Sequence, residues 1–185
     1  DHVYFIKVEK AGKPQIISGF DVNTFRIIQN EENHEQYFGD INGIYFTENA
    51  GLNTPPVKIE QVDMNSFAVL NYYLMAKDNN HVYLSGKIIE EVDAQTFQII
   101  VTRFFKDKTK VYTSLGGLRA LSGWDGSSFE VIGYSDDFWS GYSKDKNRVY
   151  YNDAVVTGAD PKTFQFKDGK AFDNRHEYEG IYVKR

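Results

Sequence analysis

No cysteine occurs anywhere in the 185 residues, which excludes disulfides, thiol nucleophiles and Cys-ligated metals. Basic charge is also short: 21 Lys and Arg face 26 Asp and Glu, for a net charge of −5 and a pI near 5.4. Such a chain lacks the positive field with which proteins neutralise phosphates, so nucleic acid and anionic membrane surfaces are not expected partners. No apolar run approaches the ~18 to 20 residues of a membrane-spanning helix. No G-x-S-x-G, phosphate loop or G-x-G-x-x-G occurs, and the four histidines include no pair at metal-ligand spacing. No catalytic residue, metal or cofactor is therefore assigned. No signal-peptide pattern is present either, but the chain opens inside a motif at Asp1-His2-Val3-Tyr4, so whether a leader or lipid anchor precedes Asp1 is left open.

Aromatic residues are plentiful: 13 Tyr, 14 Phe and 2 Trp make 16% of the chain. Such residues fit a pleated, half-buried surface, so strands are favoured over helices. The aromatics also recur in register. One signature, D-x-[NT]-x-[VI]-Y, runs from Asp145 to Tyr150, with near copies at Asp78 to Tyr83, Asp107 to Tyr112 and Asp40 to Tyr45. A second, D-x-x-[ST]-F, occurs at Asp21 to Phe25, Asp63 to Phe67, Asp93 to Phe97, Asp125 to Phe129 and Asp160 to Phe164. The two alternate along the chain, which marks a repeat architecture.

Asp can hydrogen-bond turn backbone and Asn tolerates the left-handed conformation, so the first signature predicts a hairpin turn. Ser85-Gly86 and Asn152-Asp153 predict a second turn after the outgoing strand. In the second signature an Asp cap, with Pro161 at a first helical position, predicts one helical or 3₁₀ turn that swings the Phe into the core. The unit is then three strands with an Asp-capped connection, and stacked neighbours supply the core. The expected fold is all-β: tandem short antiparallel meanders in an open twisted array, with a closed propeller-like ring as the alternative. Residues 1–185 form a single repeat domain, with units near 1–36, 37–73, 74–101, 102–138 and 139–168 and a partial unit at 169–185. In that last unit Asn174 to Glu179 reads as an insertion and Tyr182 as the counterpart of Tyr45.

Lys144 to Tyr151 followed by Gly158 to Phe164 resembles the bacterial DKNYY repeat family, and Lys77 to Phe97 matches it well. The copies at Asp107, where Thr109 replaces the Asn, and at Asp40, which lacks the Lys, are looser. The resemblance implies an exported, often lipid-anchored protein of the periplasm or outer membrane of a Gram-negative bacterium. It brings no family active site.

Candidate interaction residues are those where the copies disagree. Glu31, Glu32, His34 and Glu35 form an acidic loop; Asn53, Pro55 and Pro56 lie in a long turn-rich segment; Trp124, Asp136, Asp137 and Trp139 depart from the repeat. Acidic loops are usually solvated, and core packing competes with surface display for the tryptophans. The functional expectation is a non-catalytic protein-interaction module of the envelope, of inhibitor or immunity type, with a protein partner. The alternative is glycan or peptidoglycan binding through aromatic faces, and a hydrolase with a site scattered across repeats ranks third.

Overall fold

The computed structural model describes residues 19–28, 36–48, 56–72, 74–101, 103–114, 118–134 and 140–185, and the backbone of 3–5 and 15–17. All regular structure there is β, and no helix occurs among the described residues. Two compact units divide the chain, 1–95 and 96–185. The first holds a hairpin of Val3–Phe5 with Gln15–Ile17 and two four-stranded sheets. Sheet I comprises Arg26–Ile28, Tyr37–Asp40, Gly43–Phe46 and Val57–Lys58. Sheet II comprises Ala68–Val69, Met75–Lys77, Val82–Leu84 and Lys87–Ile88.

The second unit holds three more. Sheet III runs through Gln98–Val101, Phe104–Lys106, Val111–Thr113 and Arg119–Ala120. Sheet IV uses Glu130–Tyr134, Gly141–Lys144, Val149–Tyr151 and Ala154–Val155. Sheet V uses Gln165–Lys167, Lys170–Phe172, Glu177–Glu179 and Tyr182–Val183. Each sheet is an antiparallel meander whose strands follow chain order, and none closes into a barrel.

Two expectations are corrected by this arrangement. The sheets have four strands, because the segment after each Phe anchor pairs with the incoming strand, as Gln98 does with Lys106 and Glu130 with Lys144. The segment at 169–185 is not a fragment but most of a complete sheet. Within it the buried tyrosine is Tyr178, 5% exposed, whereas Tyr182 is 72% exposed. The Asp-to-Tyr spacing decides this, since Asp173 stands to Tyr178 as Asp78 does to Tyr83. The second signature forms the single 3₁₀-type turn expected of it, with no longer helix: the N–H groups of Thr24, Ser66 and Thr163 reach back to the carbonyls of Asp21, Asp63 and Asp160.

The outgoing strands are buried on both faces, which is why one sheet cannot stand alone. Val82 and Tyr83 are adjacent and both 0% exposed, as are Val149 and Tyr150. Successive side chains on a strand point to opposite faces, so in sheet IV one strand serves two cores, Tyr150 in one and Val149 in the other. The cores repeat one recipe, an aliphatic residue from one sheet against the Phe and Tyr of the next. Ile44 packs with Phe67 and Tyr83, Val111 with Phe129 and Tyr150, and Val149 with Phe164 and Tyr178.

Candidate functional site

The repeated aspartates are the most prominent polar groups, and they are buried: Asp40, Asp78, Asp107 and Asp145 are at most 2% exposed. Their surroundings are the same in each copy. In sheet IV, Asp145 Oδ1 accepts the N–H groups of Asn147 at 2.7 Å and Arg148 at 2.9 Å. Its Oδ2 accepts the Tyr150 hydroxyl at 2.7 Å and the N–H of the upstream cap residue, Asp125, at 2.9 Å. Asp78 repeats the set with Asn80, His81, Tyr83 and Asp63, all at 2.7 Å. Asp173 repeats it with Arg175, His176, Tyr178 and Asp160.

The second signature closes the link from its own side. The Ser or Thr hydroxyl of the cap accepts the N–H of the residue after the turn aspartate. The pairs are Ser66 with Asn79, Thr96 with Lys108 and Ser128 with Lys146, each at 3.0 Å. The two sequence signatures are therefore halves of one hydrogen-bonded lock. The lock also explains the tolerance of Thr109 and Arg175 in the Asn position. Positive φ occurs at Ser85, Gly86, Asn152, Asp168 and Gly169 but not at Asn42, Asn80 or Asn147. The expectation of a left-handed Asn is thus overturned, because the carboxylate holds the turn and no strained residue is needed.

Electrostatics follow from the same contacts. Burial alone would favour the neutral acid of Asp40, but N–H donors from Asp21, Asn42 and Gly43 outweigh it and hold the carboxyl below its usual range. Asp78 and Asp173 are lowered in the same way, burial being overcome by their hydroxyl and backbone donors. The partner tyrosines shift upward, Tyr178 to about 12, by burial first and then by its hydrogen bond to Asp173. A carboxylate with four donors has no free lone pair directed at a substrate, so these groups are structural.

An aromatic-lined cleft in the second unit lies between sheets IV and V, with a volume of about 310 Å³. Tyr134, Tyr142, Tyr151, Phe166 and Tyr178 supply its rings, and Glu179 is the acidic residue in its lining. Tyr142 packs on Tyr151 and Phe166 at 4.9 and 5.4 Å between ring centroids. Its hydroxyl donates to the Gly180 carbonyl at 3.0 Å, and burial pushes it up to about 12. Glycines make room for the rings: a Cβ at Gly141 would meet Tyr134 at 2.6 Å, and one at Gly133 would meet Phe166 at 2.5 Å. The Tyr134 hydroxyl is buried without a partner, as is Arg103 Nε. Arg103 itself is held by a 2.6 Å bond to Asn152 Oδ1.

Among the candidate interaction residues, Glu31, Glu32, His34, Glu35, Asn53, Pro55, Asp136, Asp137 and Trp139 lie outside the described residues. Pro56 is half-buried beside the last strand of sheet I. Trp124 is not a surface group: it is 8% exposed and stacks on Tyr150 at 3.6 Å. It also keeps the repeat, because the residue before the cap packs on the next tyrosine elsewhere too, as Phe20 does on Tyr45 at 4.5 Å. The cleft residues were not singled out in the sequence. Their signal is copy-to-copy difference: Phe46, Leu84 and Thr113 take the strand position that Tyr151 takes in sheet IV.

The fold and its locks define an all-β repeat protein whose unit is a four-stranded meander fastened to the preceding cap. A model of the DKNYY family matches residues 51–116, the segment that holds the locks at Asp78 and Asp107, and supports the resemblance read from the sequence. No curated protein and no solved structure matches it.

Proposed function

We propose that the chain is a non-catalytic interaction module of the bacterial envelope that binds a protein partner, an inhibitor or immunity role being its concrete form. One observation carries the reading: the sheets' outer strands combine an edge that pairs with no further strand among the described residues with exposed apolar side chains. Val57 is 67% exposed on the last strand of sheet I, and Tyr182 and Val183 are 72% and 43% exposed on that of sheet V. Singly exposed apolar residues are ordinary, but on strand edges they favour strand addition by a partner. The repeated carboxylates, being consumed by the locks, support a scaffold role over acid–base chemistry.

The test is affinity capture from envelope extracts with the wild-type chain, a Val57→Lys/Tyr182→Lys variant and charge reversal at Glu31, Glu32 and Glu35. A partner held by the wild type and released by either variant, with the fold intact, supports the reading. Empty captures under gentle conditions overturn it. Envelope placement rests on the family resemblance; labelling of the full-length protein with a fatty-acid probe, with fractionation, tests it, and a cytosolic unlabelled pool would refute it. A second reading, glycan binding, is favoured by the tyrosine-lined cleft between sheets IV and V.

A further inference from the structure

We infer that the cleft between sheets IV and V is a subsite for a neutral saccharide ring, with Tyr151 as the stacking wall and Glu179 as the hydroxyl acceptor. The inference rests on the glycan reading and goes beyond it by naming the place and the ligand's charge. The cleft's volume, about 310 Å³, falls at the lower end of the ~300–1,000 Å³ range of small-molecule sites, which suits one or two sugar rings. Gly169, where a Cβ would meet nothing within 4 Å, and Gly180 leave space open beside the walls. A Cβ at Gly180 would stand 3.5 Å from the Tyr151 ring, so that wall is approached but not filled.

The corresponding gap between sheets I and II is built differently. Tyr37 there plays the part of Tyr142, donating its hydroxyl to Leu74 and accepting the N–H of Gly86. Phe46, in the position of Tyr151, closes on the turn, so that a Cβ at Gly86 would meet it at 2.7 Å. The cavity left there is smaller, about 200 Å³, and is lined by Lys58 and Lys87. Two copies of one framework thus hold gaps of different size and charge, so the wider cleft without lysine is not a requirement of the fold.

The lining selects among ligands by charge. No Lys, Arg or His lines the larger cleft, and Arg103, near enough to Tyr134 to act on its hydroxyl, is held by Asn152, so a phosphate or a sugar acid meets no cation in the lining. A quaternary ammonium would need ring faces arranged around it. Tyr142, Tyr151 and Phe166 instead lie against one another at 4.9 to 5.4 Å, their mutual faces covered. A neutral pyranose needs only one outer aromatic face for its C–H side and acceptors for its hydroxyls. The exposed Glu179 carboxylate supplies the acceptor.

The experiment is calorimetric titration of the full chain with methyl β-glucoside, N-acetylglucosamine and its disaccharide. N-acetylneuraminic acid serves as the anionic comparison and choline as the cationic one. A neutral sugar is expected to bind in the millimolar range or tighter, and Glu179→Gln and Tyr151→Leu each to weaken it about tenfold. Leucine is already the residue at that position in sheet II, as Leu84, so the second variant is expected to fold; near-UV circular dichroism checks both. Absence of any binding up to about 10 mM, or preference for choline or the sugar acid, overturns the inference. Sugar binding unchanged in both variants also overturns the site while leaving glycan binding itself standing; a blank glycan array removes both.

Discussion

Removing one lock should show how much the repeat depends on it, and Asp145 is the best place to cut. Asp145→Ala strips the acceptor from the Tyr150 hydroxyl, which is fully buried, and from the N–H groups of Asp125, Asn147 and Arg148. Hydrogen bonds to a charged group are worth about 1.5–3 kcal/mol each, and a buried donor left alone costs about 1–3 kcal/mol. The part-exposed N–H groups of the turn regain water, so the sum is well below four full bonds; about 3–5 kcal/mol is expected, as for breaking a buried charged pair. Asp145→Asn keeps one oxygen for Asn147 and Arg148 but turns an amide donor toward Asp125, at about 1–3 kcal/mol. Tyr150→Phe removes one donor and leaves the carboxylate its other three, costing about 1–2 kcal/mol. In the double variant Asp145→Ala/Tyr150→Phe the losses should fall short of the sum by about 1–2 kcal/mol, because one bond is counted twice. Asp153→Ala, which breaks an exposed 3.5 Å pair with Arg119, is the control at about 0–1 kcal/mol. Urea unfolding followed by tryptophan fluorescence suits the purpose, since Trp124 stacks directly on Tyr150. Asp145→Ala at the wild-type midpoint, or Asp145→Asn costing more than Asp145→Ala, would refute the account of the lock.

Other expectations follow from neighbouring features. Tyr178→Ala should cost about 3–5 kcal/mol and Tyr182→Ala within about 0.5 kcal/mol, since only the first is buried; equal effects in thermal melts would mean the last sheet is paired differently. Gly86→Ala places a Cβ 2.7 Å from Phe46 at φ +71° and should cost about 1–3 kcal/mol, whereas Asn147→Gly should give no gain in stability, as that residue has no positive φ to relieve. For pH, the carboxyls of Asp40, Asp78 and Asp173 are lowered on folding, so their stabilisation is present above about pH 4 and lost as pH falls below it. The hydroxyls of Tyr142 and Tyr178 are raised to about 12, so their contribution is present below about pH 10 and lost as pH rises toward 12. Denaturant midpoints measured across both ranges check the two slopes; stability flat below pH 4 would contradict the first.

The sequence by itself determined the class of fold and the parts of the lock. Aspartate at a fixed distance before a tyrosine, and an Asp-capped Ser or Thr before a phenylalanine, are local chemistry, so they are visible as spacing wherever they recur. Strand count was not visible, because the segment after each phenylalanine carries no motif and becomes a strand only by pairing with its neighbour, as Gln165 does with Phe172. Nor was the fate of Trp124, which looks like an exception until Tyr150 is found beneath it. Tyr178 was masked by Asn174-Arg175-His176, which share little with the other turns except the backbone N–H groups that the carboxylate needs. Only the tertiary structure joined the two signatures, since Asp125 and Asp145 meet across separate turns and through a backbone donor that every non-proline residue carries. It alone opened the cleft beside Tyr151, where the room depends on which glycines and rings two neighbouring sheets bring together.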